Sequence, residues 1–206
     1  MHNSKINSDK IKPKNLNING TNKLHMEQRL YKYEIVLNLL KSENHLRKIS
    51  REIGVNHMTV KRKLDILLNQ GVLDIKQEGK NNIFSIKRTL EARNIIFISE
   101  LYKLDNFIKK HAELKQALSE LKKLPANLIL IFGSYSSGIE TKNSDLDVYI
   151  ETENNKLKDI AERINSKFSV KIGKYDGKNL LMKEIEKNHI IVKGVEEFYE
   201  KNKFFE

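Results

Sequence analysis

The chain of 206 residues contains no cysteine, which removes disulfide frameworks, thiolate zinc sites and cysteine nucleophiles together. No apolar run approaches the ~20 residues needed to cross a bilayer, and the opening MHNSKINSDK lacks the apolar core of a signal peptide. Neither a G-x-x-x-x-G-K-[ST] run nor a G-x-G-x-x-G fingerprint occurs, so P-loop and dinucleotide-binding signatures are excluded. The six histidines, His2, His25, His45, His57, His111 and His189, are scattered without metal-ligand spacing and read as surface or packing residues. A cytoplasmic protein with no membrane association is expected.

Apolar residues make up 39% of the chain, enough for a core without staples, while 32% charged residues predict long solvated helix faces. At roughly 150 residues per domain the length predicts one large domain or two small ones. The net charge of +11 is unevenly spread: residues 1–90 hold 18 Lys and Arg against 8 Asp and Glu, whereas residues 91–206 hold 20 against 19. The excess positive charge therefore lies in the first half, which suits a polyanion partner. A general Lys-rich and Asn-rich bias is the rival explanation until the charges are placed on elements.

Residues 1–25 are polar and aperiodic and are expected to form a flexible basic arm. From Leu30, apolar residues at helical spacing (Leu30, Tyr33, Val36 or Leu37, Leu40) predict a helix to about Ser42. Leu46, Ile49 and Ile53 predict a second, closed by Gly54. Asn56 caps a third, about His57 to Asn69, whose Val60, Leu64, Leu67 and Leu68 share a face. Strands at 72–76 and 83–88 with a turn at EGKNN predict a hairpin. Three helices followed by a hairpin make a winged helix-turn-helix over residues 26–89.

In such a motif the second helix of the pair enters the major groove. Turning the third helix about Val60 leaves Met58, Thr59, Arg62 and Asn69 pointing outward, flanked by Lys61 and Lys63. Arg47, Lys48 and Arg51 on the preceding helix, with Lys76 and Lys80 on the wing, are placed for phosphate contacts on double-stranded DNA. Arg62 is the candidate for guanine recognition, because a guanidinium can pair both acceptors on the groove edge of guanine. A winged helix serving only as a protein-interaction module is the competing reading. This stretch resembles the winged-helix domains of archaeal and bacterial transcription regulators.

A helical stretch over 90–124 carries a broad apolar stripe (Ile95, Ile98, Leu101, Tyr102, Leu104, Phe107, Ile108) and reads as a connector that packs the halves or pairs two chains as a homodimer. Pro125 ends it. Beyond it lie a strand at 128–132, a strand at 146–150, a helix at 157–168, a strand at 169–174, a helix at 180–187 and a short strand at 190–192. The chain as a whole is expected to be α+β with two domains, the second spanning 125–206.

The most specific feature is IFGSYSSGIETKNSDLDVYIE, residues 131–151. A buried strand delivers Gly133 and Ser134 to its end, where glycine lets a phosphate approach the backbone and the Ser134 hydroxyl can donate to its oxygens. Asp145 and Asp147 then flank Leu146 at the start of the next strand. Alternation puts both carboxylates on one face and Leu146, Val148 and Ile150 on the buried one. Two carboxylates beside a phosphate cradle suit Mg²⁺, and a two-ion site would stabilise both the entering and leaving oxygens of a phosphoryl transfer. Tyr135 and Tyr149 lie near and either contact a base or fill space.

The apolar strand, Gly133-Ser134, the ten-residue loop and Asp145-x-Asp147 resemble the minimal nucleotidyltransferases of the DNA polymerase beta superfamily. The order winged helix, connector, nucleotidyltransferase is similar to a family found in archaea. The resemblance implies Mg²⁺-dependent transfer of a nucleoside monophosphate, usually AMP from ATP, though another nucleoside triphosphate stays open, to an acceptor hydroxyl. Some relatives are antitoxins that modify a partner toxin, so a toxin or other protein acceptor is among the implied partners. The family usually places a third acidic residue on the strand after the helix, on the same face as the Asp pair. Here Lys171 stands at that position, with Asp176 and Glu184 as alternative carboxylates. A second reading follows: a transcription regulator or antitoxin repressor whose nucleotidyltransferase fold binds nucleotide or a partner without efficient catalysis.

Overall fold

A computed structural model describes residues 20–206, with side chains from Leu30 onward; residues 1–19, most of the expected basic arm, lie outside the described residues. Helix α1 (Gly20–Lys41) starts ahead of Leu30, and its first turns carry no apolar stripe that would mark them in the sequence. Its inner face is Ile35, Val36 and Leu39, all buried.

The winged helix-turn-helix follows as β1 (Asn44–His45), α2 (Leu46–Ile53), α3 (His57–Asn69), β2 (Leu73–Glu78) and β3 (Asn81–Ile86). Gly54, at φ 67°, closes α2 in the left-handed region that glycine enters without a Cβ clash. The Asn56 side chain accepts the Met58 N–H at 2.8 Å and so caps α3, whose Val60, Leu64 and Leu67 are buried. The strands lie in the order β1-β3-β2, all antiparallel. Pairing runs out to Glu78 opposite Asn81, so the turn is Gly79-Lys80 alone rather than the expected EGKNN. The added rungs pair polar residues, which hydrophobic alternation does not mark.

Helix α4 (Leu90–Lys110) is capped by the Thr89 hydroxyl, which accepts from the Ala92 N–H at 3.2 Å. The single helical connector expected over 90–124 is broken at His111, and a 3-10 turn (Ala112–Leu114) and α5 (Lys115–Lys123) follow. At the break the His111 ring sits 4.6 Å from the Phe107 centroid and 5.2 Å from that of Tyr135. Leu124, extended ahead of Pro125, ends α5.

The rest of the chain comprises β4 (Ile129–Phe132), α6 (Gly133–Ser137), β5 (Leu146–Glu151), α7 (Asn155–Ile164), β6 (Phe168–Gly173), α8 (Leu180–Lys187), β7 (Ile190–Lys193) and α9 (Val195–Lys201). The strand order is β6-β5-β4-β7; β5 and β6 are parallel and the other pairs antiparallel, so the sheet is mixed. On one face Ile129, Ile131, Val148 and Ile150 pack against α5 and α7. On the other, Leu130, Phe132 and Tyr149 join Met182 and Ile185 of α8, Phe198 and Tyr199 of α9, and the winged-helix core. One apolar cluster thus runs from Ile35 to Tyr199 across both halves of the α+β chain. Among the described residues, no helix is long and apolar enough to cross a membrane.

Candidate functional site

The fully buried strand β4 ends at Phe132, and Gly133 turns the chain at φ 68° into the one-and-a-half turns of α6. Phe132 lies opposite Asp147 in the antiparallel ladder. A side chain in place of the glycine hydrogen would force Asp147 to move: a Cβ built on Gly133 would stand 2.3 Å from Asp147 Oδ2. The Gly-Ser step and the Asp-x-Asp step, far apart along the loop, are therefore in direct contact through Gly133 and Asp147.

Three serine hydroxyls follow Gly133, and two are used locally. Ser136 and Ser137 donate to the Gly133 carbonyl at 2.9 and 3.0 Å, and Ser136 also bridges to the Asn188 carbonyl. The Ser134 hydroxyl has no hydrogen-bond partner among the described residues. The loop to β5 is held by the Thr141 N–H on Ser144 Oγ at 2.9 Å, and Lys110 anchors Glu140 from the end of α4. This leaves Asp145 exposed immediately before β5 and Asp147 half-buried within it.

Burial is the main reason the Asp147 carboxyl titrates above the usual range. The charges of Asp145 and Glu184 push it the same way, while a hydrogen bond from Ser169 and the charge of Lys171 oppose them. The parallel register explains this neighbourhood: Ser169 of β6 is paired with Asp147, and Lys171 with Tyr149 one pleat further along. Lys171 is exposed on the Asp face and Val170 is buried behind it, in keeping with the alternation. Ser169 is the residue that sequence reading passed over. Its alternation with Lys171 was visible, but the pairing of two strands separated by α7 was not. Asp176 accepts the Lys178 N–H at 3.0 Å in a turn before α8 and is not among the charges felt by Asp147. Tyr149 is buried and donates to the Gly173 carbonyl at 2.9 Å, and Tyr135 is buried against Phe107, so both fill space.

A divalent cation suits part of this arrangement. A half-buried carboxylate with two more carboxylates in electrostatic range and a single lysine opposing them leaves negative charge poorly balanced. Asp145 and Asp147 supply oxygen ligands of the number Mg²⁺ takes when substrate phosphates complete its shell. A second resident ion is less well provided for. No group of three or more acidic or histidine side chains is gathered for metal binding among the described residues.

The basic face lies on the other half. Arg47, Arg51, Lys61, Arg62 and Lys80 are exposed, Thr59 and Lys63 are half-buried, and Met58 is 58% exposed at the start of α3. Two lysines are partly neutralised: Lys48 stands 3.9 Å from Glu52 on the same helix, and Lys76 pairs with Glu78 at 3.0 Å along the wing. Asn69, the last residue of α3, is exposed.

Residues 111–203 match the nucleotidyltransferase domain family, a match that takes in α5 as well as the four-stranded sheet. Solved structures overlap the chain only weakly. A chain of the hsRosR complex structure is 18% identical over 44% of this chain and 88% of its own, with a TM-score of 0.32. The homodimeric winged helix-turn-helix DNA-binding domain of a Mycobacterium bovis protein, named as a possible ArsR-family transcriptional regulator, is 18% identical over 46% of this chain and 90% of its own, at 0.30. Overlaps that low decide nothing about this chain, whose winged helix rests on its own element order and strand pairing. No curated protein matches it.

Proposed function

We propose that the chain is a DNA-binding nucleotidyltransferase that moves AMP from ATP to an acceptor hydroxyl with Mg²⁺. The contact of Gly133 with Asp147, which a Cβ would displace, is the observation that carries this reading. It brings the backbone that would receive a triphosphate against the carboxylate that would hold the metal. Ser134, whose hydroxyl has no partner among the described residues, donates to the phosphates together with the N–H groups after Gly133. Asp145 and Asp147 hold the cation, and Ser169, paired with Asp147 in the parallel ladder, is the neighbouring hydroxyl. Bound there, Mg²⁺ supplies charge neutralisation at the phosphates. The acceptor oxygen bonds to the α-phosphorus as the bond to pyrophosphate breaks.

The winged helix would supply affinity for double-stranded DNA through Arg47, Lys48, Arg51, Lys61, Lys63 and Lys80. Thr59 and Arg62 would meet base edges. In this reading the functional divisions are the winged helix over 26–89, the connector over 90–124 and the transfer domain over 125–206, in a cytoplasmic protein able to pair as a homodimer on DNA half-sites.

Incubation with α-labelled ATP and Mg²⁺ tests the transfer. Label appearing in protein, a toxin-like partner or nucleic acid, and disappearing in Asp147→Ala, supports the enzyme. The sparse acidic ligation and the charge of Lys171 favour a second reading, in which the site binds nucleotide or a protein partner and regulates an antitoxin-like repressor without turnover. Nucleotide binding without label in any acceptor supports that version, and no nucleotide binding at all defeats both.

A further inference from the structure

The strand order β6-β5-β4 sets three elements side by side at the Asp pair. Strand β4 ends in Gly133 and Ser134, β5 carries Asp147, and the edge strand β6 presents Ser169 and Lys171 on the Asp147 face. Asp147 therefore stands between the Gly133-Ser134 step on one side and Lys171 on the other. Lys171 lies one pleat beyond Ser169, roughly 7 Å along the strand, a distance that its four-carbon stem can cover.

Lys174, just past the end of β6, is paired with Glu153 at 3.4 Å. Lys171 is exposed and has neither a hydrogen bond nor an ion pair among the described residues, although its charge reaches Asp147. The carboxylates, in turn, are too few for two ions. No three acidic or histidine side chains are grouped for metal binding among the described residues, and Glu184, whose charge also reaches Asp147, lies exposed on α8. A phosphoryl transfer clamped by two cations needs positive charge at both the entering and the leaving oxygens. A lysine ammonium is a compact point charge that binds phosphate oxygens directly.

We propose that the Lys171 ammonium takes the place of a second metal ion, binding the α-phosphate of the nucleotide on the β6 side of Asp147, so that the site needs one Mg²⁺. It rests on the reading that Gly133, Ser134 and the Asp pair take Mg²⁺ and ATP. Lys171 is then a ligand of the substrate and not a rival of the metal for Asp147.

Calorimetric titration of the full chain with ATP in excess Mg²⁺ tests it. Affinity is expected to fall about tenfold or more in Lys171→Ala and to be largely restored in Lys171→Arg, which keeps the charge. Lys174→Ala, which removes an equal charge just past the strand, should bind ATP as the wild type does. Counting of bound Mn²⁺ by electron paramagnetic resonance should find one ion per bound ATP. ATP binding in Lys171→Ala that equals or exceeds the wild type overturns the proposal, as do two Mn²⁺ ions per bound ATP. An equal loss in Lys174→Ala overturns it as well, because bulk charge then explains the effect. ATP binding that vanishes in Asp147→Asn yet ignores Lys171 keeps the site and defeats only the part given to the lysine. A wild-type chain that binds no ATP defeats the site and the proposal together.

Discussion

The sheet that carries Asp147 is covered on both faces, whereas the wing turns Asp74 through Glu78 to solvent. In the first case Leu146, Val148, Tyr149 and Ile150 are all buried around one half-exposed carboxylate, so its position is set by packing on every side. In the second, the groups that could meet a partner are long side chains on exposed backbone. Mobile charges suit a polyanion, whose phosphates repeat and tolerate small displacements; a reacting centre needs an atom held in one place. The two halves should therefore respond differently to the same kinds of change.

The largest effect should come at the packed carboxylate. Asp147→Ala is expected to lower nucleotidyl transfer by about 100-fold or more and to leave DNA affinity in a gel shift unchanged. A parallel loss of DNA binding would show that the halves do not act separately. Next comes a pair of glycines. Gly133→Ala meets both a φ of 68° and Asp147 Oδ2, so a loss of at least about 2 kcal/mol in chemical denaturation is expected together with weakened nucleotide binding. Gly79→Ala in the wing turn has a similar φ of 59° but open space around it and should cost only about 1 kcal/mol. Equal costs would mean that backbone strain, not the carboxylate, governs position 133.

The charges divide in the same way. Burial opposes ionisation of Glu100, but His189, Lys103 and the Tyr199 hydroxyl outweigh it and hold the carboxyl below its usual range. A carboxyl held low when folded binds fewer protons than in the unfolded chain, so its stabilising contribution is present above the unfolded value and fades as pH falls toward the folded one. The stability gap between wild type and Glu100→Gln should accordingly shrink on acidification below the ordinary glutamate range. A gap that is constant with pH would contradict the depressed carboxyl. Solvated charges on α3 and the wing should matter less to stability and more to salt response. Arg62→Ala is expected to cost about 1–3 kcal/mol on a preferred DNA sequence, and Lys80→Ala to weaken all sequences alike while reducing the salt slope by about 1. DNA binding insensitive to salt would remove the nucleic-acid reading of this face altogether.

The parts of the fold that were legible in the sequence are those whose information is local. The apolar spacing of Val60, Leu64 and Leu67, the caps Asn56 and Gly54, and the alternation of Leu146, Val148 and Ile150 each announce an element within a few residues. The meeting of Gly133 with Asp147 rests on the antiparallel pairing of β4 with β5, which the spacing of the two motifs does not announce. Their chemical roles are for the labelling experiment to decide. The features that escaped depend on distant partners or short runs. At the break, His111 meets Tyr135 from beyond β4, and the place of Ser169 is set by a parallel register across α7. Helices α6 and α9 are too brief for a periodic pattern. The turn at Gly79-Lys80 was hidden because Gln77 and Asn82 pair without apolar side chains.

The apolar cluster running from Ile35 through Ile96 to Phe198 has a consequence for inheritance. Residues 31–206 form one compact unit, so a recombination that exchanged the winged helix for a foreign one would expose the aliphatic face of α4 and the aromatic face of α9 at once. Arg93 of α4 pairs with Glu196 and Glu200 of α9, so α4 itself would stay fastened to the second half. Changes on either side must then be accepted by the other, and the two halves are expected to diverge together in evolution rather than be traded as interchangeable modules.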